Sequence, residues 1–376
     1  MRLRLLDMLA CPRCRGELEI TPEKTAQVKL PEAFEPRACS SRCAYHERGG
    51  KLKDCHPCYE YLVEEGRLEC RSCAESFEIR NGVPRLTVVE GPKTDVIQST
   101  QRRFAYARKR FDRSEVEDGW VKDSYSYYEH FPEVLEEGRV KVALDVGCGS
   151  GADLIRFAAE GLEAVGVDLA DTVDEARANT RHLPTANIVQ ANIYELPFRP
   201  GAFDVVYSFG VIHHLPNHLL AFKRLLEMVK TGGWVLIYVY EDFSDRTAIE
   251  GWALKAVNLL RGATTRLPPA LLHGLCVAGV PLVLLGCTLP YQVLKRFRRT
   301  RRLAERIPYR HTANPSTLVA DLYDRFAPPV EKRFSRAQVR AWFEAEGLGE
   351  VKIINHRGWV ALGRRVKSNE KIALKG

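Results

Sequence analysis

The chain has 376 residues, of which 45% are hydrophobic and 28% are charged. These proportions exclude extensive disorder, and the length predicts one large domain with a smaller module. The net charge of +8 is modest but uneven, because one short run is strongly basic: Lys295, Arg296, Arg298, Arg299, Arg301 and Arg302. Such a run can contact phosphates or an anionic membrane, or it can form a solvated helix face.

The N-terminal segment MRLRLLDMLACPRC lacks the long apolar core of a secretion signal. Asp7 interrupts its apolar run, which ends at Cys11. The sequence therefore predicts a cytoplasmic location. In that reducing compartment paired cysteines are more often metal ligands than disulfides.

Eight of the eleven cysteines precede residue 75 and form four close pairs: Cys11/Cys14, Cys39/Cys43, Cys55/Cys58 and Cys70/Cys73. Two close pairs of thiolates can complete a tetrahedral zinc site. The outer pairs lie in the similar stretches LACPRCRGEL and LECRSCAESF, so we assign them to one zinc and the inner pairs to a second metal. For the inner site, His46 or His56 replacing a thiolate, an iron–sulfur cluster and free cysteines stay open as alternatives.

The sequence segments LLDMLACPRCRGEL and LECRSCAESFEIRNGVPRL resemble the Trm112-like zinc-ribbon family. The stretch between them is longer than is usual in that family and holds the inner cysteines. The resemblance implies a zinc-binding domain over residues 1–90 whose folding depends on metal. Its role is either structural or the recognition of a substrate or partner.

Residues 91–140 are predicted to be a linker followed by helices. VVEGPKTDVIQST contains a Gly-Pro pair typical of a linker, and residues 101–135 combine helix formers with aromatic residues. These side chains either close over a ligand or form ordinary packing. They are Phe104, Tyr106, Phe111, Trp120, Tyr125, Tyr127, Tyr128 and Phe131.

VKVALDVGCGSG predicts a buried strand followed by a glycine turn, and ADLIRFAAEG predicts the next helix. Glycines at alternate positions let a ligand lie against backbone amides and the helix N-terminus. The next strand, LEAVGVDLA, ends in Asp168, 23 residues after Asp145. A carboxylate there can accept hydrogen bonds from both ribose hydroxyls of an adenosine. Further strands are predicted in NIVQANIYELPF, FDVVYSFGVIHHL and VKTGGWVLIYVY, the last after a helix end and a glycine turn.

Residues 141–240 resemble the core of class I S-adenosylmethionine-dependent methyltransferases, with SFGVIHHL and VKTGG similar to the branch that acts on small molecules and quinones. FSRAQVRAWFEAEGLGEVKIINHRGWVALGRR resembles the final helix and two antiparallel strands of that fold. The resemblance implies an α/β, Rossmann-like seven-stranded sheet with helices on both faces. This domain would span 141–376 and contain a helical insertion at 245–330.

The resemblance also implies a binding site for S-adenosylmethionine. Asp145 would orient the ammonium group, Asp168 would hold the ribose hydroxyls, and Asn192, where relatives usually carry an acidic residue, would accept from the adenine amine. Ser208 and Phe209 would lie beside the sulfonium. The other cofactor contacts would come from Gly147, Cys148, Gly149 and Gly151 at the methionine part, from Leu169, and from Ile193 on the adenine face.

Two histidines, His213 and His214, follow the fourth predicted strand. A hydroxyl acceptor needs a base to take its proton, and an imidazole, with its usual pKa of about 6.5, can be that base. A structural role for both histidines is the alternative. Methyl transfer itself requires mainly an in-line approach and exclusion of water.

The insertion contains LLHGLCVAGVPLVLLGCTL, residues 271–289, without a charged side chain over 19 positions. Its length reaches that of a membrane span, but Pro281 and three glycines disfavour a straight helix. A spanning helix, a membrane-contacting hairpin within 268–302 and a soluble helical lid stay open. Tyr323, Arg325 and Phe326 are candidates for an acceptor pocket.

These features predict a methyltransferase that uses S-adenosylmethionine and one or two zinc ions and acts on a small, apolar or lipid-like acceptor, with peripheral membrane contact as an option. One alternative is a ribosomal or transfer RNA methyltransferase, whose zinc ribbon and basic runs at 102–110 and 295–302 contact nucleic acid. Another is a zinc-dependent binding protein without activity.

Overall fold

A computed structural model of the chain describes residues 1–39, 43, 54–88, 94–110, 134, 140–159, 161–304, 307, 315–356 and 358–366. The chain divides into two compact units. We call the first the sheet unit, formed by Met1–Pro92, Tyr128–Glu241 and Lys332–Gly376, and the second the helical unit, formed by Lys93–Tyr127 and Asp242–Glu331. The cysteine-rich segment thus belongs to the sheet unit. The segment 91–140, predicted as a linker and N-terminal lid helices, is divided: Lys93–Tyr127 groups with the insertion, and its remaining residues belong to the sheet unit.

The strands are β1 (Leu18–Gln27), β2 (Tyr61–Cys70), β3 (Ser76–Arg80), β4 (Val83–Pro84), β5 (Val142–Val146), β6 (Glu163–Asp168), β7 (Ala186–Gln190), β8 (Phe203–Phe209), β9 (Val229–Val239), β10 (Leu348–Asn355) and β11 (Trp359–Arg365). The α-helices are α1 (His56–Glu60), α2 (Thr94–Arg110), α3 (Ala152–Ala159), α4 (Val173–Thr180), α5 (His218–Met228), α6 (Ala248–Thr264), α7 (Pro269–Val283), α8 (Leu289–Leu294), α9 (Arg301–Ala304), α10 (Pro315–Phe326) and α11 (Arg336–Ala345). Single 3-10 turns cover Leu3–Asp7, Ile193–Glu195 and Ile212–His214.

The N-terminal part forms an antiparallel sheet in the order β1-β2-β3-β4. Alternate residues of β2 and β3 are buried, among them Leu68, Phe77 and Ile79, as expected for strands with one face on a core. Leu18 pairs with Cys70 across β1 and β2. This register brings the first cysteine pair, which precedes β1, next to the pair that ends β2.

The second sheet has seven strands in the order β10-β11-β9-β8-β5-β6-β7. Strands β5 to β9 are parallel to one another, and β10 and β11 are antiparallel to their neighbours. Every residue of β5 and β7 is buried, which is typical of parallel strands covered on both faces. The seven-stranded α/β fold and the final helix with two antiparallel strands are confirmed.

The segment VKTGG differs from its prediction. We expected a helix end and a glycine turn before the strand, but α5 ends at Met228 and β9 begins at Val229. Between the pairs Phe203–Val229 and Val205–Trp234 the register slips, and Gly232 has φ of +84°. The glycines therefore lie in an irregular start of the strand, because pairing with β8 begins before them.

The ribbon and the seven-stranded sheet share one hydrophobic core. Three residues of the N-terminal ribbon, Met1, Leu5 and Leu9, belong to the same cluster of buried side chains as Val189 of β7 and Phe198, which lies between β7 and β8. Backbone pairing also joins the two parts, antiparallel between Leu9 and Phe198 and parallel between Arg85 and Gln190. The ribbon is therefore an integral layer of the sheet unit.

A buried ion pair lies within this shared core. Two guanidinium nitrogens of Arg4 donate to Glu163 Oε2 at 3.2 and 2.9 Å, and a third donates to Asp7 Oδ2 at 2.5 Å. Both side chains of the Arg4–Glu163 pair are at most 4% exposed. Burial raises the pKa of the Glu163 carboxyl, against the opposing effect of Arg4. Removing one partner would leave a buried charge without compensation.

The helical unit has a core of its own. The rings of Tyr106 in α2 and Tyr323 in α10 stack with centroids 5.8 Å apart, and Arg261 donates to the Pro328 carbonyl at 2.8 Å and pairs with Glu331. Tyr323, a candidate pocket residue, is 1% exposed and so contributes to packing. Of the predicted aromatic cluster, the residues Phe111, Trp120, Tyr125, Tyr127, Tyr128 and Phe131 lie outside the described part of the chain.

Candidate functional site

The glycine turn after β5 lies at the carboxyl edge of the seven-stranded sheet. The backbone N–H groups of Gly147 and Cys148 both donate to the Val167 carbonyl, at 2.7 and 3.1 Å. Gly147 has φ of +89°, and a Cβ there would come 2.3 Å from Cγ2 of Val211. The turn therefore requires glycine at this position, both for its backbone conformation and for its close packing.

Asp168 ends β6 beside this turn. Its Oδ2 accepts the N–H of Gly149 at 3.0 Å, and its Oδ1 accepts the N–H of Ala170 at 2.9 Å. The side chain is half-buried. Two backbone donors thus fix the orientation of the carboxylate, and each oxygen keeps a lone pair for a further donor such as a hydroxyl group.

Asn192 follows β7, the neighbouring strand. Its Oδ1 accepts the N–H of Tyr194 at 3.1 Å and caps the 3-10 turn Ile193–Glu195. The second lone pair of this oxygen is still compatible with the predicted contact to an amine. Ile193 is 9% exposed and supplies an apolar surface next to it.

Asp145 lies inside β5, where it is 4% exposed and opposite Tyr207 of β8. Burial, followed by the charge of Asp145, raises the pKa of the Tyr207 phenol well above its usual range. Phe157 stacks on the Tyr207 ring at 4.8 Å. A buried carboxylate at this place favours a cationic group at the adjoining edge of the sheet.

The two residues predicted beside the sulfonium lie at the end of β8. Ser208 is fully buried and donates its hydroxyl to the Val146 carbonyl at 2.8 Å. The ring of Phe209 is half-buried and lies 5.0 Å from that of Tyr207. Ser208 therefore joins β8 to β5 at the glycine turn, and Phe209 is the more accessible of the two.

The two candidate base residues lie in the 3-10 turn Ile212–His214. His213 is fully buried, and its ring stacks on Tyr240 with centroids 3.9 Å apart. His214 is 5% exposed and lies 4.2 Å from the His213 ring. The N–H of Lys332 donates to the His213 carbonyl at 2.8 Å. The turn is thus held in place by packing on both sides.

The donor set at this edge suits S-adenosylmethionine. Three neighbouring strands supply this set: β5 holds the buried carboxylate and precedes the glycine turn, β6 ends in the half-buried carboxylate, and the amide oxygen follows β7. These features match an ammonium group, a methionine chain, a pair of ribose hydroxyls and an adenine amine, respectively. The structure brings together at one edge the candidates Asp145, Gly147, Cys148, Gly149, Gly151, Asp168, Leu169, Asn192, Ile193, Ser208 and Phe209.

Sequence reasoning missed Arg85, Gln190 and Tyr207. Arg85 donates to Gln190 Oε1 at 3.0 Å, and Gln190 Nε2 donates to the Leu169 carbonyl at 3.0 Å and to Asp171 Oδ1 at 3.2 Å. This chain of hydrogen bonds runs from the ribbon to the loop that follows Asp168. GVPRL, which contains Arg85, carried no signal beyond the end of the ribbon, because its partners lie about a hundred residues later.

The outer cysteines form the first cluster that could hold a metal: Cys11, Cys14, Cys70 and Cys73. Their sulfur atoms all lie within 4.8 Å of one another, with 3.7 Å between Cys11 and Cys73 and 3.4 Å between Cys14 and Cys70. Tetrahedral zinc with bonds of about 2.3 Å places its sulfur ligands about 3.8 Å apart. The geometry therefore fits zinc, as the sequence predicts.

The thiols of this cluster differ in how readily they ionise. Burial raises the pKa of the Cys11 thiol to about 12. Although burial opposes the change, backbone N–H groups of Cys73 and Ser72 lower the pKa of the Cys70 thiol to about 7. Four thiols of which one ionises readily are a typical precursor of a metal thiolate site, because the metal then displaces the remaining protons.

The second cluster consists of Cys39, Cys43 and Cys58, whose sulfurs also lie within 4.8 Å of one another. Among the described residues, Cys55 is not part of this group. His56 does not join it either, and its Nδ1 lies 2.9 Å from Asp54 Oδ1. His46 lies outside the described residues. The inner site therefore has three converging thiols.

Comparison with known proteins identifies two domains. The family "Methyltransferase domain" matches residues 144–237, and the family "Trm112p-like protein" matches residues 2–82. A magnesium protoporphyrin IX methyltransferase from Synechocystis has a similar fold, with 12% identity and a TM-score of 0.42 over 72% of this chain and 98% of that chain.

Curated relatives align with the central part of the chain. Methyltransferase str3 of Strobilurus tenacellus is 35% identical over 33% of this chain and 43% of its own length. Sterol 4-C-methyltransferase strm-1 of Caenorhabditis elegans is 27% identical over 36% of this chain and 40% of its own length. The tRNA U34 carboxymethyltransferase of Psychromonas ingrahamii is 30% identical over 30% and 35%, respectively. The chain thus spans less than half the length of these relatives.

Proposed function

Because the chain carries a methyltransferase domain and a Trm112p-like domain on one polypeptide, we propose that it transfers the methyl group of S-adenosylmethionine to a small, apolar or lipid-like acceptor. The observation that carries this proposal is the carboxylate of Asp168, fixed by the N–H groups of Gly149 and Ala170. A carboxylate oriented at a strand end beside a glycine turn is the arrangement that a nucleoside ribose requires.

When bound, S-adenosylmethionine supplies a methyl group that its sulfonium already activates. The protein's part is then to hold the donor, align the acceptor and exclude water. Asp145 would attract the ammonium group, Asp168 would fix the ribose, and Asn192 would accept from the adenine amine. For a hydroxyl acceptor, His213 or His214 would take the proton, with His214 the more exposed of the two.

The preference for a small acceptor rests on two observations. One relative acts, by its name, on a sterol. In the basic run at 102–110, Arg103 is buried and donates to the carbonyls of Thr265 and Leu267 at 2.6 and 2.9 Å, so this guanidinium has an internal role. A tRNA-modifying relative keeps RNA as the second candidate.

We propose zinc as the metal of the first cysteine cluster and a second metal at Cys39, Cys43 and Cys58. The first assignment is supported by the tetrahedral spacing of the four sulfurs. For the second, three thiols converge. The fourth ligand that the sequence predicts, Cys55, does not belong to this group in the structure.

Transfer of labelled methyl from S-adenosylmethionine into a host extract tests the acceptor. The extract is separated into lipid, aqueous-metabolite, RNA and protein fractions after incubation with the full chain. Label in the lipid or metabolite fraction supports the proposal. Label in RNA that falls steeply with salt supports the alternative instead. Failure of the chain to bind S-adenosylmethionine would instead support the hypothesis of a zinc-dependent binding protein without activity.

The Asp168→Ala variant tests the cofactor site. We expect the affinity for S-adenosylmethionine to fall by at least about a hundredfold, because two hydrogen bonds to a charged group are lost. Calorimetric titration measures the affinity, and circular dichroism checks the fold. Asp245→Ala is the control, since Asp245 is an exposed carboxylate of the helical unit. Unchanged affinity in Asp168→Ala would refute this placement.

A further inference from the structure

A continuous helical segment of the helical unit exposes an apolar surface. Helix α7, a π turn at Leu284–Thr288 and α8 form one segment from Pro269 to Leu294, which is long and apolar enough to cross a membrane by length and composition. Its most apolar window has a mean hydropathy of 2.1, yet only 17% of that window is buried. A core helix of such composition would be mostly buried.

One stripe of this segment is packed and another is exposed. Leu272, Cys276 and Val280 recur every four residues and belong to the same core cluster as Leu318 and Leu322 of α10. The exposed set is larger, and its most exposed member is Leu282 at 74%. The set is Leu271, Leu275, Val277, Leu282, Leu285, Leu289 and Val293. An apolar surface of this size in water indicates a binding partner.

The packing against α10 determines how such a surface can meet a bilayer. Helix α10 carries Asp321, Asp324 and Arg325, and charged side chains are costly inside the hydrocarbon region. A spanning orientation would carry α10 and its charges into the membrane. An orientation parallel to the membrane plane leaves α10 in water and places only the exposed stripe among the lipids.

The charges next to the apolar segment indicate which lipid headgroups it would meet. Residues 269–304 contain no aspartate or glutamate, whereas six basic residues follow α8 directly. All six are exposed, as is Phe297 between them, at 60%. A leucine-rich face continued by lysine and arginine matches a bilayer whose headgroups are anionic.

A second exposed apolar set lies on α6 of the same unit. Trp252, Leu259 and Leu260 are 69%, 81% and 58% exposed, and their spacing of seven and eight residues places them on one face of the helix. Lys255 lies over the Trp252 ring at 4.8 Å. Tryptophan beside lysine is typical of the membrane–water interface.

We propose that the helical unit binds peripherally to an anionic lipid bilayer, with the exposed stripe of Pro269–Leu294 in the interface and the basic run 295–302 on the headgroups. A second copy of the chain is a poorer occupant of this face, because a symmetric contact would bring two clusters of six positive charges together. The proposal does not depend on the methyltransferase activity.

Flotation of the full chain with vesicles tests the proposal. We expect binding to vesicles of phosphatidylcholine and phosphatidylglycerol in equal amounts, and much weaker binding to phosphatidylcholine alone. Because the segment lies in the interface, alkaline carbonate should release the bound protein. Resistance to carbonate would show a spanning helix and overturn the peripheral mode, and absence of binding to the anionic vesicles would overturn the proposal.

Two variants separate the apolar contribution from the basic one. Leu282→Glu/Leu285→Glu should lower partitioning by at least about tenfold, since two apolar side chains no longer enter the interface. Arg298→Ala/Arg299→Ala should weaken binding mainly at low salt. Leu219→Glu and Arg67→Ala are matched controls, as Leu219 is an exposed leucine and Arg67 an exposed arginine of the sheet unit.

The variants also distinguish the bilayer from a second copy of the chain. Both substituted leucines are exposed, so the folded state should survive, and circular dichroism checks this. If Leu282→Glu/Leu285→Glu binds vesicles as the unaltered chain does, the proposal is wrong. If that variant instead converts a dimer to a monomer in sedimentation velocity while vesicle binding is unchanged, the face is a contact between copies.

Discussion

His218 is a single side chain whose surroundings make stability depend on pH. Its ring packs between Phe334 and Trp342, with centroids 4.9 and 5.0 Å away, and its Nδ1 lies 3.1 Å from Lys332 Nζ. Burial, followed by the charge of Lys332, lowers the pKa of His218 to about 4. The folded state therefore holds this imidazole neutral under conditions in which the unfolded chain already protonates it.

The sign of the pH dependence follows from this difference. Between about pH 4 and the unfolded pKa of about 6.5, the unfolded state binds a proton at His218 that the folded state does not bind. The contribution of His218 to stability is therefore present above this pH window and is lost as pH falls through it. We expect His218→Phe, which keeps an aromatic ring, to make the melting temperature less dependent on pH within this window. His182→Asn, at an exposed histidine, should leave the slope as it was. An unchanged slope in His218→Phe would contradict the assignment.

The glycine turn illustrates what residue types alone reveal about a site. Three glycines and two aspartates after successive buried strands predicted the carboxyl edge of the sheet, and the structure places them there. The same reasoning left the partners of the Asp168 carboxylate unknown. Gly149 and Ala170 donate to it through backbone N–H groups, which every residue type except proline carries.

Among the elements, the antiparallel ribbon is the one whose stability we expect to depend on cysteines as well as on apolar packing. Zinc at the proposed first cluster would contribute its binding free energy directly to the folding of this sheet. We expect Cys73→Ser to remove the metal from the first cluster and to lower the melting temperature. Metal analysis and thermal unfolding with and without a chelator measure both effects.

Cys287→Ser is the control for this substitution, because Cys287 belongs to the helical unit and to neither cluster. It should leave the metal content unchanged. A purified chain that contains no metal, and whose unfolding a chelator does not shift, would show that the first cluster is a set of free thiols.

Arg85 joins the end of the ribbon to β7 and, through Gln190, to the loop after Asp168. The Arg85 side chain can affect the Asp168 carboxylate only through Gln190 and the loop, so we propose that it is a positioning residue. We expect Arg85→Ala to raise the dissociation constant for S-adenosylmethionine about threefold to tenfold, the effect of losing the hydrogen bond to Gln190. The substitution also removes the ion pair of Arg85 with Asp174 in α4. Calorimetric titration measures the dissociation constant.

Arg80→Ala is the matched control for Arg85→Ala, because Arg80 is an exposed arginine of β3. It should leave cofactor affinity unchanged. A simple structural role of Arg85 would lower the melting temperature without changing the affinity, and that result would contradict the positioning role.

In the sheet unit as a whole, the Arg4–Glu163 pair ties the first residues of the chain to β6. Arg4→Ala should reduce the free energy of unfolding by about 3–5 kcal/mol, because Glu163 would be left buried without its cation. Arg13→Ala is the control: its pair with Glu75 is exposed and should contribute at most about 1 kcal/mol. Urea unfolding measures both variants.

The same experiment tests whether ribbon and sheet unfold together. Since they share one core, we expect a single transition by circular dichroism and by fluorescence. Two separate unfolding transitions, of which Arg4→Ala shifts only the one at lower urea concentration, would contradict the integral packing of the ribbon.

The sequence by itself determined the elements and the chemistry of the candidate site. Alternation of apolar residues, glycine spacing and cysteine pairs are local patterns, and local patterns follow from backbone geometry and ligand distances. They predicted the successive buried strands, the outer cysteine cluster and the acidic residues at the strand ends, whereas the seven-stranded sheet and its antiparallel tail were expected from the resemblance to class I methyltransferases. They also predicted a boundary near residue 90 between two parts.

Only the tertiary structure decided which distant surfaces meet. It placed the ribbon in the core of the sheet unit, paired Arg4 with Glu163 and Arg85 with Gln190, and brought Cys39, Cys43 and Cys58 together without Cys55. It also decided that the apolar segment Pro269–Leu294 is mostly exposed. Such contacts join residues far apart in the chain, and their energies depend on burial and geometry that neighbouring residues do not encode.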